Sequence, residues 1–177
     1  MTVGDRDHPW TCDSVMFIAL LSTALALGPA LAHLLELPNK IGLPVEQYFI
    51  VQQIYRGWSQ LGYVLGFELL SMMALISLSW HRPRIVVPTA VALLCVVAAQ
   101  ALFWIYTYPA NAATGNWTVI PLEWEQLRRQ WEFSHAAGAL LQLGAFCALV
   151  VAALGRHKTQ AWPAKLLRSR PAPYPHR

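Results

Sequence analysis

The chain has 177 residues, of which 56% are hydrophobic and only 12% charged, with a formal net charge of +4 and a mean hydropathy of +0.39. So few charges exclude an ordinary soluble domain, where about a quarter of residues are charged, and make lipid the expected solvent. The three cysteines form no C-x-x-C or zinc-type spacing and read as small apolar side chains.

Residues 1–14 include MTVGDRDHPWTCD, with three aspartates against one arginine, and are expected to stay cytoplasmic. The first span covers 15–37. Ala30-Leu31-Ala32 resembles a signal-peptide cleavage site, but the acidic lead-in and the length of the run favour a retained span. Pro29 after Gly28 is expected to kink it and tilt His33 and Glu36 inward. The segment PVEQYFIVQQIYRGW places Val45, Phe49, Gln52/Gln53 and Arg56 at helical spacing, which suits an interfacial helix or a water-side extension of the second span.

Span two covers 59–80 and carries Gly62-x-x-x-Gly66, a pattern that allows close helix approach. After the His81-Arg82-Pro83-Arg84 turn comes span three, 85–107. The loop beyond it contains Asn116-Trp117-Thr118, formally a glycosylation acceptor but close to the membrane. In PLEWEQLRRQW, Pro121 with Glu123 and Glu125 matches helix-start chemistry, and the helix leads into span four, 132–155. The tail, 156–177, is basic and proline-bearing, and is expected to be disordered or to lie against anionic headgroups. Nucleic acid is not needed to explain its charge, so none is expected as a partner.

A span needs about 20 helical residues, and these runs are continuously apolar, unlike the alternating strands of a barrel. The expected fold is an all-α, integral membrane four-helix bundle with extra interfacial helical segments on the extracytoplasmic side. Nine of the thirteen Lys and Arg lie in the N-terminus, the 81–84 turn and the tail, so both termini are expected in the cytoplasm. Tyr48, Tyr55, Trp58, Trp104, Tyr106, Tyr108, Trp117, Trp124 and Trp131 fall on the opposite side and read as an interfacial aromatic belt.

Ionisable residues inside spans are the informative ones, because a charge at the bilayer centre costs at least about 2.5 kcal/mol. His33 and Glu36 near the end of span one, Glu68 within span two, and Glu132 with His135 at the start of span four all fall in the outer half. His33 and His135 lie ~5 Å below the interface, and Glu68 lies deeper, at ~10–15 Å. Each His/Glu pair is three residues apart and so shares a helix face.

Three chemistries remain open. A metal site would draw on His33, Glu36, Glu68, Glu132 and His135, the ligand types of di-iron bundles, although that pattern is incomplete. Two histidines on different helices could clasp a non-covalent haem, with Arg56 or Arg128 near its propionates. Without any cofactor, a buried His or carboxylate could act as base on an apolar substrate that then meets dioxygen. For catalysis the expected set is His33, His135, Glu68 and Arg128. Against all three stands a structural role, in which the glutamates pair with Arg56, Arg128 or Arg129 and the histidines bond neighbouring helices.

The stretch YPANAATGNWTVIPLEWEQLRRQWEFSHAAGALL sets Trp124, Leu127, Arg128, Trp131 and His135 in a Trp-x-x-Leu-Arg-x-x-Trp-x-x-x-His pattern after an asparagine-bearing loop. It resembles the core signature of the anthrone-oxygenase-like family of small four-span membrane proteins. The stretch GPALAHLLELPNKIGLPVEQYFIVQQIYRGW resembles that family's first span and following loop. The similarity covers most of residues 15–155 and leaves out the tail. It implies a four-span fold and, from characterised members, oxygenation of anthrones to anthraquinones without an established need for a metal or flavin. Gly138 stands where many relatives carry arginine. Taken together, the expectation is an oxidoreductase or monooxygenase acting on an apolar aromatic or quinone-like molecule. The alternative is a non-catalytic membrane subunit, or a haem or metal protein, whose polar cluster is structural.

Overall fold

The computed structural model describes residues 9–157; residues 1–8 and the basic tail from residue 158 lie outside the described residues. Among the described residues six α-helices follow in order: α1 (Pro9–Lys40), α2 (Val45–Gln52), α3 (Leu61–Leu78), α4 (Pro83–Leu102), α5 (Tyr108–Ala113) and α6 (Trp124–His157). Short 3-10 turns at Gln53–Tyr55 and Trp58–Gln60 join α2 to α3, and a π-turn at Phe103–Thr107 joins α4 to α5. No strand occurs among the described residues.

Among the described residues, four segments are long and apolar enough to cross a bilayer: Trp10–Lys40, Trp58–Leu78, Pro83–Ala113 and Trp124–Arg156. The all-α bundle is therefore as expected, but its helices outrun the apolar stretches. Helix α1 continues through both Pro29 and Pro38, and α6 starts at Trp124, well before the apolar run.

Helix α1 packs on α3 and α6, and α4 packs on the same two, closing a four-membered ring. Successive long helices are neighbours around the ring, so this is an up-down-up-down bundle. At the 79–82 turn end its core is small: Ala19, Ala92, Ala145 and Ala152 are fully buried beside Met72, Leu75, Val96 and Leu149. Where lipid is the solvent, helices associate by close backbone contact more than by burial of bulk. A Cβ added at Gly155 would meet the Arg84 carbonyl oxygen at 3.0 Å. Larger apolar side chains face outward, with Phe17, Phe67, Leu94 and Leu154 all more than 60% exposed, the reverse of a soluble protein.

Two expectations change here. Nothing lies within 4 Å of a Cβ placed at Gly62 or Gly66, so the Gly62-x-x-x-Gly66 pair does not mediate close approach within this bundle. Nor do all the aromatics form a belt. Trp104, Tyr106 and Tyr108 are exposed, but Tyr48, Trp117 and Trp131 are buried, at 0%, 4% and 3% exposure. With Phe49 and Ala110 they make a second core capping the loop-rich end.

That cap depends on an unusual turn. Gly115, Asn116 and Trp117 have φ of +54°, +54° and +64°, a region costly for residues with a side chain. Local bonds hold it: Asn116 N–H donates to the Asn111 carbonyl at 2.7 Å, and Trp117 N–H donates to Thr114 Oγ1 at 3.1 Å. Gln53 Nε2 donates to the Trp117 carbonyl at 2.8 Å. The turn swings the Trp117 indole inward, where Asn111 Oδ1 accepts from Trp117 Nε1 and Trp131 Nε1, each at 2.9 Å.

Candidate functional site

The loop-rich end gathers most of the residues singled out from the sequence. His33, from α1, meets His135, from α6, with ring centroids 4.4 Å apart. Aromatic rings wall the pair: His33 lies 4.5 Å from Tyr55, 5.5 Å from Trp58 and 5.1 Å from Trp131, and His135 lies 3.9 Å from Trp131. Trp131 and His135 sit one turn apart on α6, which is why they stack.

The hydrogen bonding settles one tautomer. His135 Nδ1 is 2.9 Å from the Trp131 carbonyl oxygen. A carbonyl only accepts, so Nδ1 carries the hydrogen, and the neutral ring keeps a lone pair on Nε2. His33 is 6% exposed, and its Nδ1 is buried without a partner. The structure thus sets two imidazoles, one of them with an unpartnered ring nitrogen, inside an aromatic box.

Behind the box lies an ionic net that the sequence did not announce. Lys40 Nζ is 3.1 Å from Glu132 Oε1 and 3.8 Å from Glu36 Oε2, and it donates to Tyr55 Oη at 2.8 Å. Tyr55 Oη donates to Glu36; Tyr48 Oη donates to Glu132 Oε1 at 2.9 Å, and Gln52 Nε2 donates to Tyr48 Oη. Lys40 and Glu132 are 4% and 0% exposed, so the ammonium meets Glu132 out of water, whereas the Glu36 side chain stays partly exposed. The ammonium also lies 4.5 Å from the Tyr55 ring centroid and 4.7 Å from that of Trp131. Those two rings therefore touch Lys40 as well as the imidazoles.

Both phenols serve as donors here. Burial first, and then the Glu132 carboxylate, push the Tyr48 hydroxyl well above the ordinary tyrosine value. Burial, followed by the hydrogen bond to Glu36, does the same for Tyr55.

Arg128 and Glu68 stand apart. Arg128 donates to the Leu43 carbonyl at 2.8 Å and lies over Trp124 and Tyr48, 4.6 and 5.5 Å from their centroids. It pins the chain between α1 and α2, and it pairs with neither glutamate. Arg56 instead bonds Gln53. Glu68, fully buried on α3, accepts from Gln142 Nε2 across the bundle interior, and its second oxygen has no hydrogen-bond partner. Gln142 lies one heptad beyond His135 on α6, roughly 10 Å deeper.

This placement bears on the cofactor options. Among the described residues, no three His, Cys, Asp or Glu side chains converge as metal ligands. Glu36 and Glu132 are occupied by Lys40 and the tyrosines, and Glu68 is engaged with Gln142. A haem clasped by two imidazoles needs their centroids roughly 6 Å apart, from metal–nitrogen bonds of about 2 Å plus ring radii. The His33 and His135 rings, 4.4 Å apart and inclined by 56°, do not fit that sandwich.

The residues missed from the sequence are Lys40, Tyr48, Gln52, Tyr55 and Gln142. A signal existed for most of them. Lys40 is four residues after Glu36 and seven after His33, on the same face of α1, and Tyr48, Gln52 and Tyr55 repeat at i, i+4 and i+7.

Comparison of the chain with protein-family profiles, with curated proteins and with solved structures finds no match.

Proposed function

We propose that this protein, whose four apolar helices fit a multi-pass membrane protein, is an oxygenase for flat, apolar aromatic molecules of the anthrone kind. The supporting observation is the His33–His135 contact inside the aromatic box, with His135 Nε2 left as a lone-pair donor. The resemblance to the anthrone-oxygenase-like family gives the substrate class. Positive charge on the opposite side favours cytoplasmic termini and a site toward the outer leaflet.

In this mechanism His135 Nε2 takes a proton from the acidic methylene of the substrate, whose fused rings spread the resulting negative charge. Trp131, Tyr55 and Trp58 hold the planar anion and keep water away. The carbanion adds to dioxygen, and the peroxide takes the proton back from His135 or through His33. Cleavage of the oxygen–oxygen bond, with loss of the second methylene hydrogen and one oxygen as water, then leaves the carbonyl. Each methylene and dioxygen thus become a ketone and a water molecule, with no external reductant.

The test is oxygen uptake and quinone absorbance on adding anthrone to the protein in lipid nanodiscs. A positioned base contributes about 10²–10⁴-fold, so His135→Ala should lower turnover at least about 100-fold. Turnover no faster than in empty nanodiscs, or unchanged in His135→Ala, overturns the proposal. A second proposal rests on the Lys40 net, which ties α1, α2 and α6 together: the cluster is the keystone of a non-catalytic subunit. Under it, His135→Ala affects melting and Lys40→Met affects nothing but melting.

A further inference from the structure

A groove of about 470 Å³ runs along the outside of the bundle between the π-turn and the first half of α6. Its polarity is ordered along the helix axis. At the loop-rich end the lining is Gln126, Arg129 and Gln130; deeper, it is Leu102, Phe133 and Ala137. Gln126 to Ala137 spans roughly 16 Å of helix, longer than a three-ring aromatic and comparable to an extended acyl segment. The π-turn shapes the opposite wall. Gln130 Nε2 caps the Tyr106 carbonyl at 2.7 Å, and Ser134, which lines the groove, is held by a 2.7 Å hydroxyl bond to Thr107.

Arg129 marks the occupant's charge. It is exposed, and among the described residues it has no ion pair; Glu125, one turn earlier, is not bonded to it. An unpaired guanidinium at the polar mouth of an apolar, lipid-facing groove complements an anionic headgroup above an acyl chain.

We infer that this groove is a binding site for an anionic phospholipid, with the phosphate at Arg129 and one acyl chain laid along Phe133 and Ala137 against Leu102. The site faces away from the His33–His135 box and is independent of the proposed oxygenase activity.

The experiment measures binding of phosphatidylglycerol and of phosphatidylcholine with matched acyl chains to detergent-solubilised protein, by native mass spectrometry and thermal shift. One exposed ion pair is worth up to about fivefold in affinity, so phosphatidylglycerol should bind up to about fivefold tighter. Arg129→Gln should erase the preference without loss of folding, and Ala137→Phe, which fills the groove, should weaken both lipids. Equal binding of the two lipids by the native chain, or a preference that survives Arg129→Gln, overturns the inference. So does equal stabilisation by inorganic phosphate alone, which would assign the arginine to a free anion.

Discussion

Replacing Lys40 with methionine tests the ionic net most directly. The substitution keeps the apolar stem and removes the Lys40 ammonium between Glu36 and Glu132. Glu132 is fully buried, and its Oε2 already lacks a partner, so the change strands a carboxylate with only the Tyr48 hydroxyl on Oε1. Removing one member of a buried ion pair costs about 3–5 kcal/mol. For a chain of this size that corresponds to a fall in Tm of about 6–20 °C. Adding Glu132→Gln removes the stranded charge while keeping an acceptor for Tyr48, so the double variant should recover more than half of the loss. Detergent melts followed by tryptophan fluorescence read both numbers. A fall of less than about 2 °C for Lys40→Met, or a double variant as unstable as the sum of the singles, would refute the argument that the pair acts as a buried unit.

Asn111 and the buried tyrosines give two further expectations. Asn111→Leu leaves two indole N–H groups without their acceptor, at about 1–3 kcal/mol each, and should lower Tm and shift the tryptophan emission; an unchanged spectrum would contradict the shared bond. Tyr48 and Tyr55 hold their protons above the ordinary value of about 10 in the folded state. The stability they confer is complete below that pH and declines as pH rises through and above it. An alkaline absorbance titration should show a late phenolate step that shrinks in Tyr48→Phe and in Tyr55→Phe.

Much of this arrangement is legible in the sequence, for identifiable reasons. Four continuous apolar runs admit only helices in lipid, because every backbone group must be bonded within its own segment. His33, Glu36, Glu132 and His135 stand out because ionisable groups are rare at that depth. Lys40 does not, because it follows Pro38, where a helix is expected to end, and so counts only as a loop charge in the topology. The aromatics of the 44–58 segment read as a belt, since composition cannot distinguish a ring facing headgroups from one packed inward under a cap that three consecutive positive-φ residues shape. The Glu68–Gln142 bond joins residues 74 positions apart on diagonal helices, a proximity that no local spacing encodes.

The oxygenase and keystone proposals converge on Trp131. Its ring lies 4.7 Å from the Lys40 ammonium and 3.9 Å from the His135 centroid, while its carbonyl fixes the His135 tautomer. Helix α6 carries Arg128, Trp131, Glu132 and His135 in one uninterrupted register, so an ionic pair formed at Glu132 also sets the rotation at which His135 meets His33. Charges placed where the helices leave the hydrocarbon are less costly than at the bilayer centre. There the pair can fix the register of α1 against α6 while leaving the imidazoles free of formal charge partners.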